Sequence, residues 1–157
     1  MVERILVAGG LVLLALILIA VIALALQGVK SRAGKPPGLV AGQLQACSSR
    51  PNCQVTDHVR DTAHYTDPII LSESQTESAM DQVVLTIESM GGFVAARNDA
   101  YLAAEFKSSL FGFVDDFEVR LDSDKRVLHL RSASRVGYSD MGVNAKRIEA
   151  FRKAFSS

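Results

Sequence analysis

From Ile5 to Leu26 the chain reads ILVAGGLVLLALILIAVIALAL, without one charged residue. No water-facing surface of a domain is built that way. At about 1.5 Å of rise per residue the run makes a helix about 33 Å long, enough to cross the roughly 30 Å hydrocarbon core of a bilayer. A cleaved signal peptide is the competing reading, because Ala23-Leu24-Ala25 has the small-residue pattern of a cleavage site. Signal-peptide apolar cores run only about 7–15 residues, so a retained anchor over residues 1–27 is expected, in contact with the lipid bilayer through residues 5–26.

Orientation is pulled two ways. Arg4 precedes the run, whereas Lys30, Arg32 and Lys35 follow it, which favours a cytoplasmic carboxy-terminal domain. Cys47 and Cys53 close the short ring CSSRPNC, and two cysteines alone in one tight loop suggest a disulfide in an oxidising compartment. Zinc is a second reading of the same region, with His58 and His64 as further ligands. The spacing is unlike structural zinc sites, whose first two ligands lie about two to four residues apart, so the disulfide is expected and no metal, with free thiols as the remaining alternative.

Beyond the anchor, residues 28–42 read as a linker, since Pro36-Pro37-Gly38 cannot hold a helix. Residues 43–157 are long enough for one domain. The chain carries 17 basic and 17 acidic residues, interspersed, which argues against nucleic acid as a partner. Ser74-Gln75-Thr76-Glu77 fits a capping box, followed by a helix that buries Met80, Val83, Val84, Ile87 and Met90 and stops at Gly91-Gly92. Phe93 to Arg97 and Ala100 to Lys107 read as strands around Asn98-Asp99, with Phe93, Ala95, Leu102, Ala104 and Phe106 on one face. A last helix runs from about Gly142 to Phe155, started by Ser139 or Asp140 and packed through Ile148, Phe151 and Phe155. The fold class is therefore α+β: a single N-terminal transmembrane helix, then one antiparallel sheet with two helices packed on one face.

The polar residues with most to say lie between Phe111 and Arg147. Phe113, Phe117, Val119 and Leu121 alternate with Val114, Asp116, Glu118 and Arg120, the period of a half-buried strand. Asp122-Ser123-Asp124-Lys125 turns it, and Arg126 to Ser132 returns. Pairing Val119 with Leu128 and Phe117 with Leu130 sets Asp116 opposite Arg131 and Glu118 opposite His129. Asp115 then falls on the apolar face opposite Ser132, where a carboxylate needs a cation or several donors. Arg135 is the expected partner, with Arg147 left as an exposed ligand contact. The candidate binding residues are Asp115, Asp116, Arg131, Ser132, Ser134, Arg135, Tyr138, Asp140, Asn144 and Arg147. A hydrolase built on Asp115 or Asp116 with His129, assisted by Arg131, Arg135 and Tyr138, is the alternative. Neighbouring carboxylates point to opposite faces of one strand, which disfavours a paired acid and base. No nucleophile elbow, phosphate loop or cofactor fingerprint occurs, so no cofactor is expected.

FGFVDDFEV, RSASRVGYSDMGVN and KRIE, with CSSRPNC upstream, resemble the hallmark segments of the domain-of-unknown-function 1499 family. The resemblance runs from about Cys47 to Phe155. It departs at Gln54-Val55-Thr56, where valine would follow the second cysteine directly. The family occurs in bacteria and in plant chloroplasts, and its plant members are similar to lumenal proteins. The resemblance brings no reaction with it. It implies a translocated domain, here a single-pass protein of a bacterial inner membrane with its domain in the periplasm. Together these readings point to a membrane-anchored, non-catalytic module, an accessory subunit of a membrane complex that binds a partner protein or a small anionic ligand.

Overall fold

The structure, a computed structural model, describes residues 2–156, with side chains from Leu6 onward; the side chains of Arg4 and Ile5 lie outside the described residues. Helix α1 spans Val2–Ala33. It is long and apolar enough to cross a membrane, and its most apolar window is not buried against the rest of the chain. The helix continues past Leu26 by two turns before Pro36-Pro37 ends it. A short hairpin follows, β1 (Leu39–Val40) and β2 (Gln43–Leu44). The domain then runs β3 (Cys53–Val55), β4 (Ile69–Ile70), α2 (Glu73–Ser89), β5 (Phe93–Arg97), β6 (Tyr101–Lys107), β7 (Val114–Asp122), β8 (Val127–Ser134) and α3 (Val143–Phe155).

The expected α+β architecture is present. Its strands pair antiparallel in the order β3-β8-β7-β6-β5, and β4 pairs with β8 beside β3. Both α2 and α3 pack on the face that carries Phe117, Val119, Leu128 and Leu130. Phe117 meets Phe151 at 5.0 Å between ring centroids, and Phe151 stacks on Phe155 at 5.6 Å. Met80, Val83 and Ile87 of α2 close the core, as the apolar stripe predicts.

The β7–β8 register differs from the expected one by two residues. Glu118 faces Arg131, Arg120 faces His129, Asp116 faces Ala133 and Asp115 faces Ser134. The turn is Ser123–Arg126, with Arg126 in the left-handed region at φ 55°. A two-residue slip leaves every side chain on its own face, so alternation cannot choose between the two registers. The observed one adds a Leu121–Leu128 pair.

Two smaller expectations are corrected. The N-cap of α2 is Ser72, whose capping box closes with Gln75, two residues earlier than expected. Phe93 is 70% exposed, because a bulge between Val94 and Ala96 turns Val94 to the core in its place. The start of α3 is held by Asp140, one of the two residues expected there, which accepts from the backbone N–H of Gly142 and of Asn144 at 3.0 and 2.7 Å.

The stretch after the apolar run is not a free linker. Ser31 exchanges two hydrogen bonds with Val114: its Oγ donates to the carbonyl at 3.2 Å and accepts from the N–H at 2.8 Å. Arg32 donates to the carbonyls of Phe111 and Gly112. Gly28 lies against the Phe111 carbonyl so closely that a Cβ there would collide with it. Glycine at this position is what lets the helix dock on the loop.

A candidate cleft where the anchor meets the domain

The sheet separates the candidate residues into two clusters. On the face away from α2 and α3 lies a layer of buried charge. Arg131 donates to Glu118 at 2.7 Å, Tyr101 donates to the same carboxylate at 2.7 Å, and the N–H of Gly38 reaches it at 3.0 Å. Arg135 binds Asp116 through Nε and Nη2 at 3.0 and 2.6 Å, Glu105 at 2.6 Å, and the Ser31 carbonyl at 3.2 Å. Asp57 accepts from Arg120 at 2.6 Å and from the Leu44 N–H at 2.8 Å, with His129 at 2.9 Å.

Residues 31–44 cover this layer as a strap. Burial raises the Tyr101 hydroxyl, and the bond to Glu118 raises it further. Burial also leaves the Asp116 carboxyl above its ordinary value, despite the pull of Arg135. At Asp57 burial works against ionisation, yet His129, Arg120 and the Leu44 N–H together hold it well below the usual range. This layer ties strap to sheet.

The other cluster lines an open cleft of about 640 Å³. Leu24 and Gln27 of α1 form one side. The β6–β7 loop, the end of α2 and the loop before α3 form the rest, with Phe106, Phe113, Val114 and Val136 giving it mostly apolar walls. Asp115 and Arg147 meet at its polar side, Oδ2 to Nη2 at 2.8 Å. Arg147 also donates to Asn144 Oδ1 at 2.7 Å and Ser132 Oγ at 3.2 Å, and sits 4.7 Å over the Phe106 ring. The cation partner of Asp115 is therefore Arg147, not Arg135. Arg147 is mostly buried, not an exposed contact, because α3 lies over the end of β7 and brings its first turns onto Asp115.

Of the ten candidate residues, the cleft brings together Asp115, Ser134, Asp140 and Arg147, with Ser132 and Asn144 directly behind Arg147. Tyr138 is exposed on the rim loop. Asp116, Arg131 and Arg135 belong to the strap side, as does His129, each in contact with a partner of that layer, whereas Asp115 and Tyr138 lie on the cleft side. Leu24, Gln27, Lys107 and Phe113 were missed. Nothing in the sequence links an anchor residue to a loop some ninety positions later.

Cys47 and Cys53 are disulfide-bonded. His58 bonds the Leu44 carbonyl, and His64 is held between Asp61 and the Arg50 carbonyl, which accounts for all four zinc candidates. The disulfide loop braces the cleft from outside. Arg50 and Asn52 both donate to the Gly137 carbonyl, and Asn144 donates to that of Asn52.

The segments that build the cleft and its brace are those that carry the family resemblance. The family model for DUF1499, described as a protein of unknown function, matches residues 43–155. The chain belongs to that family. No curated protein matches it. The DUF1499 region supplies the loops, Asp115, Arg147 and the disulfide, whereas the Leu24 wall of the cleft comes from outside it.

Proposed function

We propose that this DUF1499 protein is a membrane-anchored, non-catalytic binding module. Its cleft takes one small amphiphile, with an apolar body along Leu24, Phe113 and Val136 and an anionic end near Lys107. The observation that carries this reading is the cleft itself. About 640 Å³ is the size of a ligand site, and its walls are apolar with few polar groups. Asp115, the carboxylate that would have to act as a base, is spent on Arg147, which supports binding over catalysis.

We place the domain in the periplasm of a bacterial inner-membrane protein. The disulfide supports that side. Arg32, one of the basic residues that favours the opposite orientation, has a structural task on the Phe111 and Gly112 carbonyls. In intact cells both cysteines should resist thiol labelling until reduced; two reactive thiols would reverse the orientation. β5 is the open edge of the sheet, with Phe93 exposed. That edge supports a role as accessory subunit of a membrane complex. A pulldown from gently solubilised membranes without a stoichiometric protein would remove that part.

Native mass spectrometry of the full chain released from nanodiscs tests the cleft. Added oleate should be retained at one per chain. Val136→Trp, which fills the cleft, should abolish retention. Lys107→Ala should weaken oleate several-fold and leave oleyl alcohol unchanged. Retention that is indifferent to Val136→Trp would dispose of the cleft as the site.

A further inference from the structure

We propose that the rim of the cleft is a second membrane contact, in which Leu110, Tyr138 and Met141 enter the interfacial layer of the bilayer that α1 crosses. The first argument is depth. The apolar run ends at Leu26, so Leu24 stands in the last turn of the membrane-spanning part. Leu24 and Gln27 line one cleft with Ser108, Val136 and Met141. Loops that share a cleft with those positions stand at the level where hydrocarbon gives way to headgroups.

The two ends of the sheet supply the second argument. β6 ends at Lys107, β7 begins at Val114 and β8 ends at Ser134, all beside the docked end of α1. The connections there carry Leu110 at 82% exposure, Tyr138 at 71% and Met141 at 90%. At the opposite end the connections are Asn98-Asp99-Ala100 and Ser123-Asp124-Lys125-Arg126, polar and charged but for one small alanine. Apolar tips sit only at the end of these hairpins that the anchor holds toward the bilayer. Leucine, methionine and tyrosine are residues that an interfacial layer accepts and water does not favour.

Backbone conformation is the third argument. Met141 has φ 55° and is followed by Gly142 at φ 78°. A left-handed non-glycine residue is strained, and here the strained residue is the most exposed large apolar side chain described. Burial in lipid gives that methionine the apolar surroundings it lacks in water.

The chain has no tryptophan, so single replacements report on one position each. Leu110→Trp, Met141→Trp, Ile70→Trp and Leu16→Trp would be made in the full chain and reconstituted in vesicles of tail-brominated phosphatidylcholine. Ile70 is as exposed as the rim residues but pairs with Val127 at the far end of β8. Leu16, mid-helix, gives the reference for full quenching. Expected are strong quenching and blue-shifted emission at 110 and 141, and an unquenched signal at 70. Rim tryptophans that match position 70 would overturn the proposal alone. Failure at position 16 would overturn the anchor reading and this proposal together. No cleft ligand enters the measurement, so its outcome does not depend on the amphiphile reading.

Discussion

Glu118→Ala is expected to lower the stability of the full chain by about 3–5 kcal/mol, the cost of removing one member of a buried ion pair. Glu118 is fully buried, and three donors converge on it: the Arg131 guanidinium, the Tyr101 hydroxyl and the Gly38 N–H. Alanine would strand all three at once. Arg131 has no reserve, since its Nε has no hydrogen-bond partner in the present fold and its charge would then lose its only carboxylate contact among the described residues. The Gly38 bond also fastens the strap, so residues 34–44 should loosen with it. Asp81→Ala is the control. Its pair with Arg97 is largely exposed, at 76% and 42%, and exposed pairs contribute about 0–1 kcal/mol. Melting curves of both variants in the same detergent decide the matter. If Glu118→Ala melts alongside Asp81→Ala, the charge layer does not hold the strap.

That layer also shows how far the sequence could be read. Alternation assigned Asp115 to the helix face and Asp116, Glu118 and Arg120 to the other, and each side chain is found there. Period 2 is a local property and survives a register slip of two. The partners are set by register and by tertiary approach, and there the reading failed. Asp115 found Arg147 because α3 crosses the end of β7, while Asp116 found Arg135 because Arg135 follows two residues after Ala133, the residue opposite Asp116. Neither contact has a spacing signature.

The strap was invisible for a different reason. It binds through backbone N–H groups of Gly38 and Leu44, and every residue but proline has one. Proline and glycine in residues 34–42 report that the segment is not helical, and say nothing of where it lies. By contrast, the stripe of α2, the aromatic face of α3 and the cysteine ring are short-range patterns, and all three appear as expected.

Arg135→Ala is expected to cost a similar amount, about 3–5 kcal/mol at neutral pH, and to do so in a pH-dependent way. Arg135 holds the buried Asp116, the half-buried Glu105 and the Ser31 carbonyl at the end of the anchor helix. Without it, Asp116 is a carboxylate in a dry site with its guanidinium partner gone. Burial already raises that carboxyl above its ordinary 3.8, and loss of Arg135 removes the main opposing influence. The folded variant therefore holds a proton at pH values where the unfolded chain has released it. Stability that depends on such a group falls as pH rises through the folded value and is regained below it. The deficit of Arg135→Ala against wild type should thus be largest near neutrality and shrink toward pH 4. The anchor should be loosened as well, because the Ser31 carbonyl keeps only the Gly34 N–H of its two donors and the sheet loses its hold on it, and tryptic cleavage after Arg32 should speed up. A deficit that is flat between pH 7 and pH 4 would mean that Asp116 finds another cation, and the account of this face as a set of separately paired charges would have to be given up.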